Sequence, residues 1–385
     1  MDREKLNDIL IDHGARLETQ LERLWTPLRR RLRLDRPAHI AAYRGFANSD
    51  KLTVSGRVLA NRPLGGPGED DDVLDNLRNS IKRWTTHEIS DTRVVLRCGK
   101  QQQQVRTDEE GYYTADFDIS AAIKRGLQWL TVEAAVEQEG ETITAQHRVV
   151  LPGTACRFLI ISDLDDTVIE TGVTSLLTAA RLTFLGNART RKPLAGVAAL
   201  YTALQHGQNH EPVNPVFYVS SSPWNLYDLL RDFLELNNIP AGPLLLRDLG
   251  VDETRFIKRR GHLHKLENVL RILETYRDKP AILIGDSGQE DAQLYAEAVR
   301  QHPDRILSVY IRDVDPGISS EGDSEVQKAA QLVAGYGVDM VAAESTARFA
   351  EHAAQLGMLR WEQMPVIADA IRRDRQRPSL SEQSI

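Results

Sequence analysis

Asp163 and Asp165 stand two residues apart in Ser162-Asp163-Leu164-Asp165-Asp166-Thr167, directly after the apolar run Arg157-Phe158-Leu159-Ile160-Ile161. That run predicts a short buried strand, and an open α/β sheet opens its ligand crevice at the carboxyl ends of its strands. The spacing therefore delivers two carboxylates side by side at the mouth of a site. The same residue types also form turns and cap helices, and some loop must follow the strand. Three further segments bear on that choice. Gly285-Asp286-Ser287-Gly288-Gln289-Glu290-Asp291 follows a second apolar run, Ala281-Ile282-Leu283-Ile284, and precedes a helical pattern through Leu294, Tyr295 and Val299. Val216-Phe217-Tyr218-Val219 runs into Ser220-Ser221-Ser222-Pro223-Trp224, which places hydroxyls at a strand end. It is equally an ordinary helix start, with Ser222 as cap and Pro223 at the first helical position. Lys265 lies at the head of an amphipathic pattern with Leu266, Val269, Leu270 and Leu273 on one face. A lysine there is either solvated or turned toward the carboxylates.

The elements that must position these groups follow from apolar periodicity. Strands are expected at 157–162, 216–219, 244–246, 281–284 and 306–311, with helical patterns at 195–206, 224–236, 263–276 and 290–300 between them. Strands alternating with helices imply βαβ units and a parallel sheet covered on both faces. The fold class is therefore α/β, and the candidate groups fall on the first, second and fourth strands of the set.

Hydrophobic strand plus D-x-D-x-T resembles motif I of the haloacid dehalogenase superfamily of phosphatases and phosphotransferases. The segment from Gly285 to Asp291 is similar to its motif IV, Ser220 to motif II and Lys265 to motif III. The strings Ser162 to Thr167, Val219 to Tyr227, Gly242-Pro243-Leu244-Leu245-Leu246-Arg247-Asp248, and Leu283 to Asp291 with Tyr295 together resemble the catalytic domain of the actin-patch-associated phosphatidate phosphatase family. The resemblance covers roughly residues 150–315 and implies a Rossmannoid parallel sheet over about 153–315. It also implies Mg²⁺-dependent release of phosphate from phosphatidate, leaving diacylglycerol. An N-terminal sandwich and the lack of a long Pro-rich tail depart from fungal members.

The resemblance assigns roles. Asp163 would be the nucleophile and Asp165 the general acid/base, with Ser220 and Lys265 completing the catalytic set. The Leu164 backbone and Ser221 would contact substrate, and Asp163, Asp165, Asp286 and Asp291 would hold Mg²⁺. Mg²⁺ takes hard oxygen ligands in an octahedron and keeps several waters, so one carboxylate from each of two neighbouring strand ends suits it. A carboxylate nucleophile splits a slow hydrolysis into two easier displacements. The environment must keep Asp163 ionised while letting Asp165 carry a proton.

The remaining sequence bounds the setting. The chain of 385 residues carries a formal net charge of −7, which argues against a general nucleic-acid binder. Cys98 and Cys156 are its two cysteines, too few for a disulfide framework or a zinc set, and a reducing cytoplasm is the expected home. The start, Met1-Asp2-Arg3-Glu4-Lys5, is too charged for a secretory signal, and no apolar run approaches bilayer length. Residues 1–48 are expected as an N-terminal helical segment, helical over 3–34 with Pro27 as a kink, and its arginines face either solvent or a membrane surface. Residues 49–152 read as a β-sandwich, with strands at 52–58, 93–96, 112–117 and 130–134. Thr107-Asp108-Glu109-Glu110-Gly111-Tyr112-Tyr113 forms a turn into a strand, similar to transthyretin-like and carboxypeptidase-regulatory-like sandwiches. No catalytic set is seen there and its protein partner is unassigned. Residues 61–80 are expected as a loop, 153–375 as the phosphatase domain with C-terminal helices, and 376–385 as a disordered tail.

The short segments between motifs leave room for a flap but no cap domain. An open site suits a lipid headgroup at a bilayer or a phosphoprotein. The flap, about 168–194, carries Leu176, Leu177, Leu182, Phe184 and Leu185 with Arg181, Arg189, Arg191 and Lys192, and no acidic residue occurs from Thr171 to His210. Such a rim either meets an anionic interface, giving peripheral membrane association, or packs on the core and attracts phosphate. Two rival readings remain: a phosphatase of the same superfamily acting on a soluble phosphomonoester or phosphoprotein, and a non-catalytic lipid or protein scaffold.

Overall fold

A computed structural model describes residues 38–60, 89–119, 123–138, 140–164, 167, 193–247, 257–288, 290–314 and 321–376. The expected N-terminal helix, the 61–80 loop, Asp165, the flap from 168 to 192 and the tail beyond 376 lie outside the described residues.

The N-terminal unit is one mixed sheet. Its strands are β1 (His39–Ala42), β2 (Gly45–Ala47), β3 (Lys51–Leu59), β4 (Arg93–Cys98), β5 (Gln101–Arg106), β6 (Tyr112–Asp118), β7 (Gln128–Gln138) and β8 (Glu141–Leu151). They run in the order β1-β3-β2-β8-β7-β4-β5, and β6 pairs with β3. The sheet curls around a core that includes Leu52, Val54, Leu96, Phe117, Val132 and Val149. Its outer strands meet through side chains: the Gln101 and Gln103 amides donate to the carbonyls of Asp118 and Asp116. Before β6, Asp108 Oδ1 accepts the amides of Glu110 and Tyr112, which makes the expected turn. One expectation is corrected. Residues 39–47, assigned from sequence to the N-terminal helical segment, form β1 and β2 of this sheet.

The second unit is a parallel sheet with strands β9 (Leu159–Asp163), β10 (Val216–Pro223), β11 (Leu244–Arg247), β12 (Ala281–Asp286), β13 (Ile306–Arg312) and β14 (Asp339–Ala343). The order is β11-β10-β9-β12-β13-β14. Helices α1 (Val197–His206), α2 (Tyr227–Leu236), α3 (Ile257–Thr275), α4 (Asp291–Gln301), α5 (Glu321–Ala334), α6 (Thr346–Gln355) and α7 (Met364–Gln376) cover it. Side chains alternate across β9: Ile160 joins the core under α1, α2, α6 and α7, while Leu159 and Ile161 join that under α3, α4 and α5. A strand buried on both faces must be apolar throughout, which is why this run is unbroken in sequence. The chain turns outward through β10 and β11, then returns to the other side of β9 with β12. That reversal is a topological switch point, where an open α/β sheet leaves a crevice at the strand ends.

The two units share their packing. Ala41 and Tyr43 belong to one core of the parallel sheet and Phe46 to the other. Among the described residues, no helix is long and apolar enough to cross a membrane.

Candidate active site

The crevice between β9 and β12 holds Asp163 and Asp286. Ser162 pairs with Ile284, so the two carboxylates leave the sheet at nearly one level. Gly285 then allows the next element to close in. A Cβ at this position would lie 2.6 Å from Asp291 Oδ2 and 2.7 Å from Tyr295 Cε2. Only a residue without a side chain lets the first turn of α4 sit this close to the strand. Tyr295 fixes the approach by donating to the Ile284 carbonyl at 3.0 Å. Asp291 stands in that first turn, where the helix dipole favours a negative charge.

Lys265 reaches this cluster from the middle of α3, not from the helix head expected from sequence. Its fully buried Nζ lies 2.8 Å from Asp163 Oδ1 and 2.9 Å from Asp291 Oδ1. Burial alone would lower the ammonium's pKa, but the carboxylates of Asp163, Asp291 and Asp286 outweigh it and hold the pKa above its ordinary value. The lysine therefore stays charged and locks Asp163 in place. Leu270, expected on the apolar face, is half-exposed, and the buried stripe runs through Lys265, Val269, Ile272 and Tyr276.

Asp163, Asp286 and Asp291 each offer an oxygen within 4.8 Å of the others, and all three side chains are buried. Burying several like charges is costly unless they are paired. Three buried carboxylates gathered around one ammonium make a cluster rich in oxygen donors. An all-oxygen donor set of this kind fits Mg²⁺. Asp286 Oδ1 also accepts the Gly288 amide at 2.7 Å. Asp291 is held at both oxygens, by Lys265 Nζ and by the Asp286 amide at 3.3 Å.

Ser220 is buried within β10, next to Val219, which pairs with Asp163 in register. Its Oγ accepts the Ser222 amide at 2.9 Å, and Ser221 is half-buried next to it. The strand continues through Pro223 and the helical turn begins at Trp224 without a side-chain cap, so Ser222 is no helix cap. The Leu164 side chain is buried in the core, which leaves its backbone for any contact with substrate. Asp165 lies outside the described residues.

Several groups around the site escaped the sequence reading. Ser162 Oγ donates to the Asp163 carbonyl at 2.5 Å and accepts from the Tyr201 hydroxyl at 2.6 Å, bracing the strand end from behind. Arg247 and Arg312 are buried at the carboxyl ends of β11 and β13. Arg312 donates to the Glu344 carbonyl and to Thr346 Oγ1, and burial brings its pKa down to about 10. The available signal was an Arg-Asp pair closing an apolar strand, at Arg247-Asp248 and again at Arg312-Asp313.

Residues 158–313 match the family model described as the catalytic domain of phosphatidate phosphatase APP1. This segment belongs to that family. The phosphatidate phosphatase APP1 of Saccharomyces cerevisiae is 32% identical over 290 residues, which is 72% of this chain and 47% of that protein. An uncharacterized protein of Schizosaccharomyces pombe is 30% identical over 239 residues, 61% of this chain and 37% of that one. The chain thus spans about half the length, or less, of these curated relatives. The alignment with the yeast protein covers more than lies beyond residue 157, so it takes in part of the N-terminal sheet. Among solved structures, a carbohydrate acetylesterase from Xanthomonas citri aligns at 9% identity and a TM-score of 0.26, over 77% of this chain and 74% of that one. A likeness that low carries no argument.

Proposed function

We propose that this APP1-family chain is a Mg²⁺-dependent phosphatase that removes the phosphate of phosphatidate, acting from the cytoplasmic side at a membrane surface. The observation that carries the reading is the buried Asp163–Lys265–Asp291 cluster beside Asp286 at the switch point, inside the segment matched to the catalytic domain.

Asp163 attacks phosphorus through a carboxylate oxygen. The bond from phosphorus to the lipid oxygen breaks, and Asp165 gives that oxygen its proton, releasing diacylglycerol. Asp165 then takes a proton from water, whose oxygen attacks the aspartyl-phosphate and frees inorganic phosphate and Asp163. Proton transfer of this kind contributes about 10²–10⁴-fold. Lys265 offsets negative charge at Asp163, while Ser220, Ser221 and the Leu164 amide would donate to phosphoryl oxygens. Asp163, Asp165 and Asp286 would hold Mg²⁺, which supplies charge neutralisation at the phosphoryl group. Asp291, engaged at both oxygens, fits best as the residue that orients Lys265. The basic and apolar composition of the flap supports a lipid interface over a soluble substrate.

The deciding experiment is phosphate release by purified protein from phosphatidate vesicles and from a panel of soluble phosphates, with and without Mg²⁺. Preferred turnover of the vesicles, lost on chelation, is expected. Faster turnover of a soluble ester would assign a different substrate, and no release from any would remove the enzymatic reading.

A further inference from the structure

We infer that Tyr43 of the N-terminal sheet is a positioning residue for the serine turn of the active site, which makes that sheet a working part of the catalytic unit. The inference rests on the reading of Ser220 given above.

Val219 pairs with Leu245 and Pro223 with Arg247. Four steps along β10 thus oppose two along β11, and Ser220, Ser221 and Ser222 bulge out of the ladder between the two anchors. Bulges re-aim side chains and are common beside active sites. The near anchor is firm, because Val219 also pairs with Asp163. Beyond Pro223 the chain passes into the short 3₁₀ turn Trp224–Leu226, and this far anchor is where the N-terminal sheet takes hold.

The Tyr43 ring stacks on Trp224 with centroids 4.3 Å apart and planes 18° apart, and it packs on Tyr227 at 4.4 Å. The next residue adds polar holds: the Arg44 amide donates to the Tyr227 hydroxyl at 2.6 Å, and its guanidinium pairs with Glu235 at the end of α2. Tyr43 is itself held from behind. Its carbonyl accepts from His147 Nδ1 on β8 at 2.9 Å, and His147 Nε2 lies 3.0 Å from the Tyr113 hydroxyl on β6. The bracing thus runs from the core of one unit to the catalytic turn of the other. A carbonyl can only accept, so His147 Nδ1 carries the proton and Tyr113 donates to Nε2. The second large contact between the units serves as a control. Phe46 packs on Phe217 and Tyr276 on the opposite face of the parallel sheet, at the start of β10 and away from the bulge.

Phosphoryl transfer depends on placement, and an error of about 1 Å can cost about a hundredfold in rate. The test compares Tyr43→Ala, Tyr43→Leu, Tyr43→Phe and Phe46→Ala with the wild type. The readouts are steady-state kinetics on the best soluble phosphate, thermal unfolding, and hydrogen exchange of the peptide spanning 219–226. Tyr43→Ala and Tyr43→Leu are expected to lose about tenfold or more in kcat well below their melting temperatures and to speed exchange in that peptide. Tyr43→Phe, which keeps the stack, should restore both. Phe46→Ala should melt earlier but retain kcat. Tyr43→Leu is the variant to follow should Tyr43→Ala fail to fold. Wild-type kcat and unchanged exchange in Tyr43→Leu would overturn the inference, as would a parallel loss of kcat in Phe46→Ala. A wild type without phosphatase activity would instead defeat the functional reading, and the exchange data would still decide the bracing.

Discussion

Gly285 and Asp291 approach so closely that a single methyl group would not fit between them, its carbon falling 2.6 Å from Asp291 Oδ2. The glycine is thus a condition of the Lys265–Asp291 pair. Gly285→Ala should push the first turn of α4 outward, destabilise the fold by about 1–3 kcal/mol as overpacking does, and lower kcat more than it raises KM. Urea unfolding and phosphate-release kinetics check this. Unchanged kinetics would show that Asp291 need not sit where it does.

Lys265 carries the larger penalty. Its removal leaves Asp163 and Asp291 buried without their shared cation, and breaking a buried pair costs about 3–5 kcal/mol. Lys265→Met should lose at least about a hundredfold in kcat, the usual cost of deleting one preorganised electrostatic contact. Asp163→Asn should abolish turnover with a much smaller change in unfolding midpoint, because the amide still accepts a bond from the ammonium. Equal activity loss with no stability loss in Lys265→Met would mean that the ion pair is solvated.

These side chains differ in how readily they are read from sequence. Asp163, Asp286 and Ser220 were legible because strands buried on both faces give unbroken apolar runs, and the polar residue that ends each run marks the crevice. Lys265 was half-legible: it falls on the stripe it shares with Val269, Ile272 and Tyr276, so its burial could have been inferred from helical spacing. β5 was not legible, since Gln101 to Gln104 lie on an exposed outer strand held by amide-to-carbonyl bonds and carry no apolar alternation. Nor were β1 and β2, four and three residues long: Tyr43 in the link between them and Phe46 on β2 face the other unit instead of their own core. Contacts between units leave no periodic trace.

His147 makes the N-terminal sheet sensitive to acid. Burial drops its pKa from an ordinary 6.5 to about 4, against a smaller opposing effect of the Tyr43 carbonyl. The unfolded chain therefore binds the proton first. Stability from this group is fully present above about pH 6.5 and is lost as pH falls toward 4, to a total of about 3 kcal/mol. His147→Gln should be less stable than wild type at pH 7, and the gap should narrow steadily between pH 6.5 and 4. Urea midpoints of both proteins across that range measure it. A constant gap would mean that His147 takes up its proton without leaving the folded state.

The crowded carboxylates make a prediction about the metal that does not depend on turnover. With Asp163, Asp286 and Asp291 buried together and Lys265 as their shared cation, repulsion should destabilise the metal-free protein, and Mg²⁺ should relieve it. Ligand binding to the folded state alone raises stability by RT ln(1 + [L]/Kd), or about 2.7 kcal/mol at a hundredfold excess over Kd. Mg²⁺ should therefore raise Tm in proportion to the logarithm of its concentration. Asp286→Asn removes one charge while its side-chain oxygen can still accept the Gly288 amide. It should match or exceed the wild-type Tm without metal, gain little from added Mg²⁺, and lose activity. Thermal unfolding of both proteins over a Mg²⁺ titration separates the outcomes. An equal gain in Tm for wild type and Asp286→Asn would place the ion elsewhere, and no gain in either would leave the three carboxylates as a purely internal ion-pair network around Lys265.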